Sequence, residues 1–250
     1  MLPISGRVLF AVFALSSFAV RAEGLDRDTL LTDAPAVPDK GTVRLTGALT
    51  GTSDTSGVDN TQGQANIVAG VQWAPIERFS ADVSAYFQVG AQGPSARARY
   101  QILKQWDHGI DLSAGVRFKT VGFHPDQGEI EFLVAGGRRF GQFELILNGV
   151  FGAETGAGGK DAEVKGFAGY RFSPSLSAGI DGRLQAELGD DEVEALTTPN
   201  GVRDYDLTVG PAVSWMITRT IQLQALFGLA QPKKTNITAP LGALQASVDF

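Results

Sequence analysis

Residues 79–89 read FSADVSAYFQV: Phe79, Ala81, Val83, Ala85, Phe87 and Val89 are apolar or small, and Ser80, Asp82, Ser84, Tyr86 and Gln88 between them are polar. Period two sustained over this length means an extended strand with one apolar and one polar face. The neighbouring stretches repeat it. Val43, Leu45, Gly47 and Leu49 alternate with Arg44, Thr46 and Thr50, and Ala65, Ile67, Ala69, Val71 and Trp73 alternate with Asn66, Gly70 and Gln72. The same reading places strands near 95–106, 109–121, 129–140, 142–153, 162–172, 175–188, 204–217, 219–230 and 241–250, twelve in all.

The chain begins as an exported protein would. Met1–Arg7 is short and basic, Val8–Val20 is mostly apolar, and Val20-Arg21-Ala22 is a small-residue cleavage pattern, so residues 1–22 read as a secretory signal peptide. The apolar run is too short for a membrane-spanning helix, which needs roughly 20 residues. Net charge is −6, and removal of Arg7 and Arg21 takes it to −8. An acidic exported chain is a poor partner for nucleic acid. There is no cysteine, so stability must come from something other than disulfides, and a closed β-structure supplies it.

The breaks between strands add a second pattern. Those after even-numbered strands are tight: 74–78, Asp107-His108, Gly141, Ser173-Pro174 and Thr218. Those after odd-numbered strands are mostly long: 53–61, 122–128, 154–161, 189–203 and 231–240, with a short one only at Gly93-Pro94. Short turns at one end and long loops at the other are the signature of an outer-membrane barrel. Pro75, Pro94, Pro125, Pro174, Pro199, Pro232 and Pro240 are expected in turns or loops; Pro211 alone sits inside an expected strand, where it interrupts the ladder or marks a bulge. Trp73, Trp106, Trp215, Phe140, Phe143 and Phe172 fall at the short-turn ends, and Phe87, Phe118, Phe151, Tyr205 and Phe227 at the long-loop ends. Two aromatic belts of this kind sit at the two faces of a membrane.

The last residues, LQASVDF (244–250), alternate to the end and stop on a phenylalanine. Here the chain resembles the bacterial outer-membrane β-barrel proteins, porin-like ones included, whose final strand commonly ends this way. The resemblance implies that Leu244, Ala246, Val248 and Phe250 are read by the barrel-assembly machinery, with outer-membrane lipid and lipopolysaccharide as further partners. The expected fold is all-β: a transmembrane antiparallel up-and-down barrel of about twelve strands spanning residues 41–250, with periplasmic N- and C-termini. Residues 23–40 precede it, commonly a mobile periplasmic tail in such proteins, alternatively a plug folded into the lumen.

In a barrel of this kind the polar faces point inward. Asp82, Arg97, Arg99, Arg117, Lys119, Glu131, Glu144, Lys165, Arg171, Asp181, Arg183 and Asp206 all take the polar parity and are the candidate pore-lining residues. Arg97, Arg99, Arg117 and Lys119 form a basic stripe on strands four and five, opposed by acids elsewhere on the wall. That arrangement suits a narrow aqueous pore with a transverse field, or a lumen closed by cross-strand salt bridges. Small inward residues such as Ser84, Ser113, Gly115, Gly137, Gly179, Gly210 and Gly228 favour residual space, and with it the pore. The expected function is a narrow channel for small polar or charged solutes; the alternative is a closed barrel whose surface loops bind a partner.

A barrel enzyme would need a base beside a nucleophile or bound water. Only His108, in a tight turn, and His124, in a loop, are available, so no enzyme is expected. The acidic loop Gly189–Glu194 reads as a solvated loop rather than a calcium site. The glycines of residues 152–161 lie in a hairpin without a following helix, so they make no phosphate loop. No cofactor or metal is expected.

Overall fold

The computed structural model describes residues 25–52, 66–88, 91–122, 124–156, 158–188, 205–232 and 237–250. Twelve strands form one closed antiparallel barrel, each paired with its neighbours in sequence and the first with the last. They are β1 (Val43–Thr52), β2 (Asn66–Ile76), β3 (Phe79–Gln88), β4 (Ala91–Leu103), β5 (Asp111–Val121), β6 (His124–Phe140), β7 (Phe143–Glu154), β8 (Lys160–Ser173), β9 (Leu176–Glu187), β10 (Tyr205–Met216), β11 (Ile221–Gln231) and β12 (Ala239–Asp249). The seam zips from Arg44 opposite Asp249 to Thr52 opposite Leu241, and Phe250 extends it by exchanging backbone hydrogen bonds with Val43 at 2.9 and 3.2 Å. Closure leaves no strand edge unpaired.

The alternation sorts side chains as the period-two pattern requires. Outside stand Leu45, Ile67, Val83, Phe132, Leu147, Val164, Ile180 and Leu244, all well exposed. Trp73, Trp215, Phe140, Phe143, Phe172 and Phe250 ring one end of the outer face, with Phe250 73% exposed; Phe87, Phe151 and Phe227 stand toward the other. Arg138 also lies outside at the first end, its guanidinium 4.6 Å from the Phe140 ring centre.

Several expected boundaries shift. Trp106 is not on a strand: it belongs to α1 (Gln105–His108), a single helical turn between β4 and β5, and His108 is exposed there. Gly93-Pro94 is not a turn but lies within β4, opposite Tyr86 and Ala85 of β3. Its missing N–H costs little because the β4–β5 ladder begins only at Ser95. The expected loop 122–128 is mostly the start of β6, so His124 and Pro125 are strand residues, admitted by a register shift at Thr120/Val121. Pro75 is the penultimate residue of β2, within another shift between Trp73 and Ile76, and Pro240 sits where β12 begins. Loop length therefore sorts by strand parity less cleanly than the spacing suggested.

Pro211 lies in mid-wall, at the seventh position of β10. It faces Ile180 of β9 without a bulge, and the β10–β11 register is the same on either side of it. Close backbone approach holds the wall there: a Cβ on Gly210 would meet the Gly228 Cα and the Phe227 carbonyl oxygen, each at 2.5 Å.

The inward face is more apolar than its charges suggested. Ile146, Phe167, Ala212, Leu226, Ala230, Leu241 and Ala243 point into the barrel and bury themselves against Leu25, Leu30 and Leu31. Those three leucines belong to the segment before β1, which enters the barrel instead of hanging free.

Candidate functional site

Residues 25–40 make a loop that enters the lumen and returns. The Ala36 N–H donates to the Leu25 carbonyl at 3.1 Å, closing its neck, and the Thr29 N–H donates to the Thr32 carbonyl at 2.8 Å, tightening its tip. The Asp28 carboxylate accepts from the Ala34 N–H at 2.8 Å. Prolines 35 and 38 suit an irregular path, and the leucines face the apolar side of the barrel. Pro35 fits because residue 137 is glycine: a Cβ there would stand 2.7 Å from the Pro35 Cγ.

Asp33 is the centre of the arrangement. Its carboxylate accepts from Arg97 of β4, from Arg117 Nη2 of β5 at 3.1 Å and from Lys165 Nζ of β8 at 3.0 Å. Its backbone is held as well: the N–H donates to Asn148 Oδ1 at 2.7 Å and the carbonyl accepts from Asn148 Nδ2 at 2.9 Å. Asp28 accepts from Arg97 Nη2 at 2.7 Å and Arg99 Nη1 at 3.0 Å, while its carbonyl accepts from Gln224 at 3.0 Å. Near the tip, Thr32 Oγ1 donates to Asp181 Oδ1 at 2.6 Å and the Leu31 N–H to Asp181 Oδ2 at 2.9 Å. At the neck, Arg44 binds the Asp26 carboxylate at 2.9 Å and Asp249 at 2.7 Å, tying loop, first strand and last strand together.

Burial alone would push the Asp33 carboxyl up. Lys165, Arg117, Arg97 and Arg99 outweigh it and hold the group well below the usual carboxylate range. Burial acts on Asp28 in the same upward sense and is again overcome, chiefly by Arg97 and Arg99, although Asp33 opposes them. Both carboxylates are therefore anionic at neutral pH, and their hydrogen bonds are charge-assisted, roughly twice as strong as neutral ones.

The basic stripe read from the sequence is thus real but largely engaged. Arg97 also binds Asp82 at 2.7 Å; Arg117 and Lys119 both bind Glu131 at 2.7 Å. Glu144 takes Arg139 at 2.8 Å and Arg171 at 3.1 Å, in a separate group nearer the short-turn end. Arg183 pairs with Glu163, and Asp206 lies opposite Gln185 on the β9–β10 ladder. Asp28, Asp33, Asn148 and Gln224 were not among the residues expected from the strand pattern. The available signal was three aspartates at 26, 28 and 33 around Leu30-Leu31, an acidic and apolar segment facing a chain with surplus inward cations.

The loop does not fill the barrel. Beside it, along β1–β5 and β12, runs a cavity of about 430 Å³. Its wall carries Thr46, Thr50, Asn66, Ser84, Tyr86, Ser95, Lys119 and Gln245, and Asp28, Asp33, Arg97, Arg117 and Lys165 border it on the loop side. A smaller cavity of about 80 Å³ lies under Leu25 and Leu30, against β6–β11. His124 is the first residue of β6, at the β5–β6 connection, and the segment 189–194 lies outside the described residues. Among the described residues no group of His and carboxylate side chains is arranged to hold a metal ion.

Comparison with known proteins agrees with the architecture. A family model described as "Putative MetA-pathway of phenol degradation" matches residues 39–235. No curated protein matches the sequence. Among solved structures, the KdgM porin aligns with a TM-score of 0.59 at 10% identity, over 83% of this chain and 99% of that one. The NanC porin gives 0.57 at 8% identity, over 82% and 98%. An outer membrane channel from Pseudomonas putida F1 gives 0.56 at 13% identity, over 86% and 97%. At such identities the likeness is one of fold.

Proposed function

We propose that this chain, which belongs to the family described as "Putative MetA-pathway of phenol degradation", is an outer-membrane channel passing small polar or charged solutes beside its lumenal loop. The observation that carries this is the cavity of about 430 Å³ running along the inward faces of β1–β5 from Arg44 to Thr50. That volume lies within the roughly 300–1,000 Å³ range of pockets that take small molecules, and its wall sets hydroxyl, amide and charged groups among aliphatic ones such as Val68 and Val83. An apolar outer face with aromatic rings toward both ends supports placement in a lipid bilayer. In this reading the end with the two-residue β2–β3 and β6–β7 turns, which also carries Val43 and Phe250, faces the periplasm. The signal peptide read at residues 1–22 delivers the chain there.

The loop shares the lumen with the lane and borders it beside Arg97 and Arg117, so the expected conductance is small. The test is single-channel recording of the refolded mature protein in planar bilayers under a salt gradient. Discrete steps with a reversal potential displaced from zero support a selective channel. Silence from protein shown by heat-modifiable migration to be folded and inserted overturns it, and leaves a closed barrel acting through its surface loops.

A further inference from the structure

We infer that the cage formed by Arg97, Arg99, Arg117 and Lys165 is a binding site for a solute bearing two carboxylates, occupied in this structure by the chain's own Asp28 and Asp33. The inference rests on the reading of the lumen as a solute path. Arg97 is the pivot, with one terminal nitrogen on Asp33 and the other, Nη2, on Asp28 at 2.7 Å. Two carboxylates therefore sit side by side on a single guanidinium fork, the geometry that suits bidentate recognition of such groups. The wall offsets only part of this charge: Asp82 serves Arg97, Glu131 serves Arg117, and Glu163, 3.4 Å from Lys165, is shared with Arg183. The remaining positive charge is met by the loop.

The loop leaves capacity unused. Arg99 is 1% exposed and places only Nη1 on the loop, to Asp28 and to the Ala34 carbonyl at 2.9 Å. Its Nε and Nη2, and the buried Ser113 hydroxyl on adjacent β5, have no hydrogen-bond partner. A ligand with more oxygens than two aspartate side chains would satisfy them. The site is also reachable, because Arg97, Arg117, Lys165, Asp28 and Asp33 all border the open cavity. A dicarboxylate in the lane meets the cage at its edge and competes with the loop for the same donors. Seating it requires the loop to yield, so solute binding and opening of the lumen are one event.

Succinate is the probe, with neutral succinamide as control, titrated calorimetrically into the refolded mature protein and into an Asp28→Asn/Asp33→Asn variant. Removing the internal competitor should tighten succinate binding at least ten-fold, leave succinamide without binding, and make the gain vanish when Arg97→Gln is added. Equal succinate affinity in the parent and the folded double variant overturns the proposal. Should the double variant not fold, Ala36→Cys in the otherwise native, cysteine-free chain reports directly. Succinate should speed its reaction with a maleimide several-fold and succinamide should not; equal rates overturn the proposal as well. Binding without conductance would sink the channel reading and leave the site standing, whereas conductance with neither binding nor label release would do the reverse.

Discussion

Asn148 carries more of the loop's docking than its size suggests. It is 1% exposed, and its amide supplies both an acceptor for the Asp33 N–H and a donor for the Asp33 carbonyl. Leucine has a similar volume and neither function. Asn148→Leu would leave two buried backbone groups unpaired, at about 1–3 kcal/mol each. The loss falls on docking rather than on the barrel, whose ladder at this position pairs Asn148 with Ala135 and Lys165 through backbone. Maleimide labelling of an Ala36→Cys reporter should accelerate at least ten-fold in the Asn148→Leu background while the unfolding midpoint of the barrel stays put. The carboxylates make a second prediction, of pH dependence. Asp33 faces Arg97, Arg99, Arg117, Lys165 and Asp28, and its folded value lies well below the ordinary 3.8. A carboxyl depressed on docking contributes stability that is complete above the undocked value and fades as pH falls toward the docked one. Labelling, divided at each pH by that of a permanently exposed cysteine to remove the thiolate's own pH dependence, should therefore be flat from pH 7 down to about 4, the undocked carboxylate value, and rise only below it; a rise already under way at pH 6 would show that other groups control the loop.

At the scale of elements, the tightest constraint in the wall is where β10 passes β11. Gly210 and Gly228 face each other, and a methyl on Gly210 would meet backbone atoms, which cannot swing aside as a side-chain tip can. Gly210→Ala should destabilise the barrel by about 1–3 kcal/mol, read as a lower urea midpoint in lipid vesicles. Gly47→Ala, whose Cβ would meet nothing within 4 Å, is the control and should be near neutral. The final strand offers another test. Leu244 and Phe250 stand exposed on the outer face with Ala246 and Val248 between them, available for recognition during assembly. Phe250→Ser should lower the level of folded protein in cells several-fold, yet leave refolding into detergent intact, because its backbone pairing with Val43 needs no aromatic ring.

The strands were legible because period two is a local property that each residue reports independently: Leu45, Val71, Val83, Leu147 and Leu244 all announce the outer face. Boundaries were less so. Gly93-Pro94 and His124-Pro125 carry turn residues but lie in strands, because Pro94 stands just beyond the end of the β4–β5 ladder and Pro125 beside a bulge, where a missing N–H costs little.

For the whole molecule, parity identified Arg97, Arg117 and Lys165 as inward but could not reveal their partner. Asp33 lies 64 residues from Arg97 and 132 from Lys165 in sequence, in a segment with no periodicity, and only barrel closure brings these strands around it. The loop also settles the balance of the interior. Residues 25–38 hold Asp26, Asp28 and Asp33 against Arg27, a net charge of −2, together with three leucines that cover the apolar side of the lumen. Deleting residues 25–38 therefore does two things at once. It widens the path, since the cavity of about 430 Å³ beside the loop would merge with the space the loop held. It also uncovers cations on β4, β5 and β8 in a confined, low-dielectric passage, where fixed charge acts far more strongly than in water. In planar bilayers the deletion variant should show severalfold larger steps than the parent, and its reversal potential under a salt gradient should move toward anion selectivity. Raising the salt should shrink that shift, because counterions screen the newly exposed Arg97, Arg117 and Lys165. Larger steps with unchanged selectivity would mean that Asp82, Glu131 and Glu163 already neutralise the wall without the loop's help.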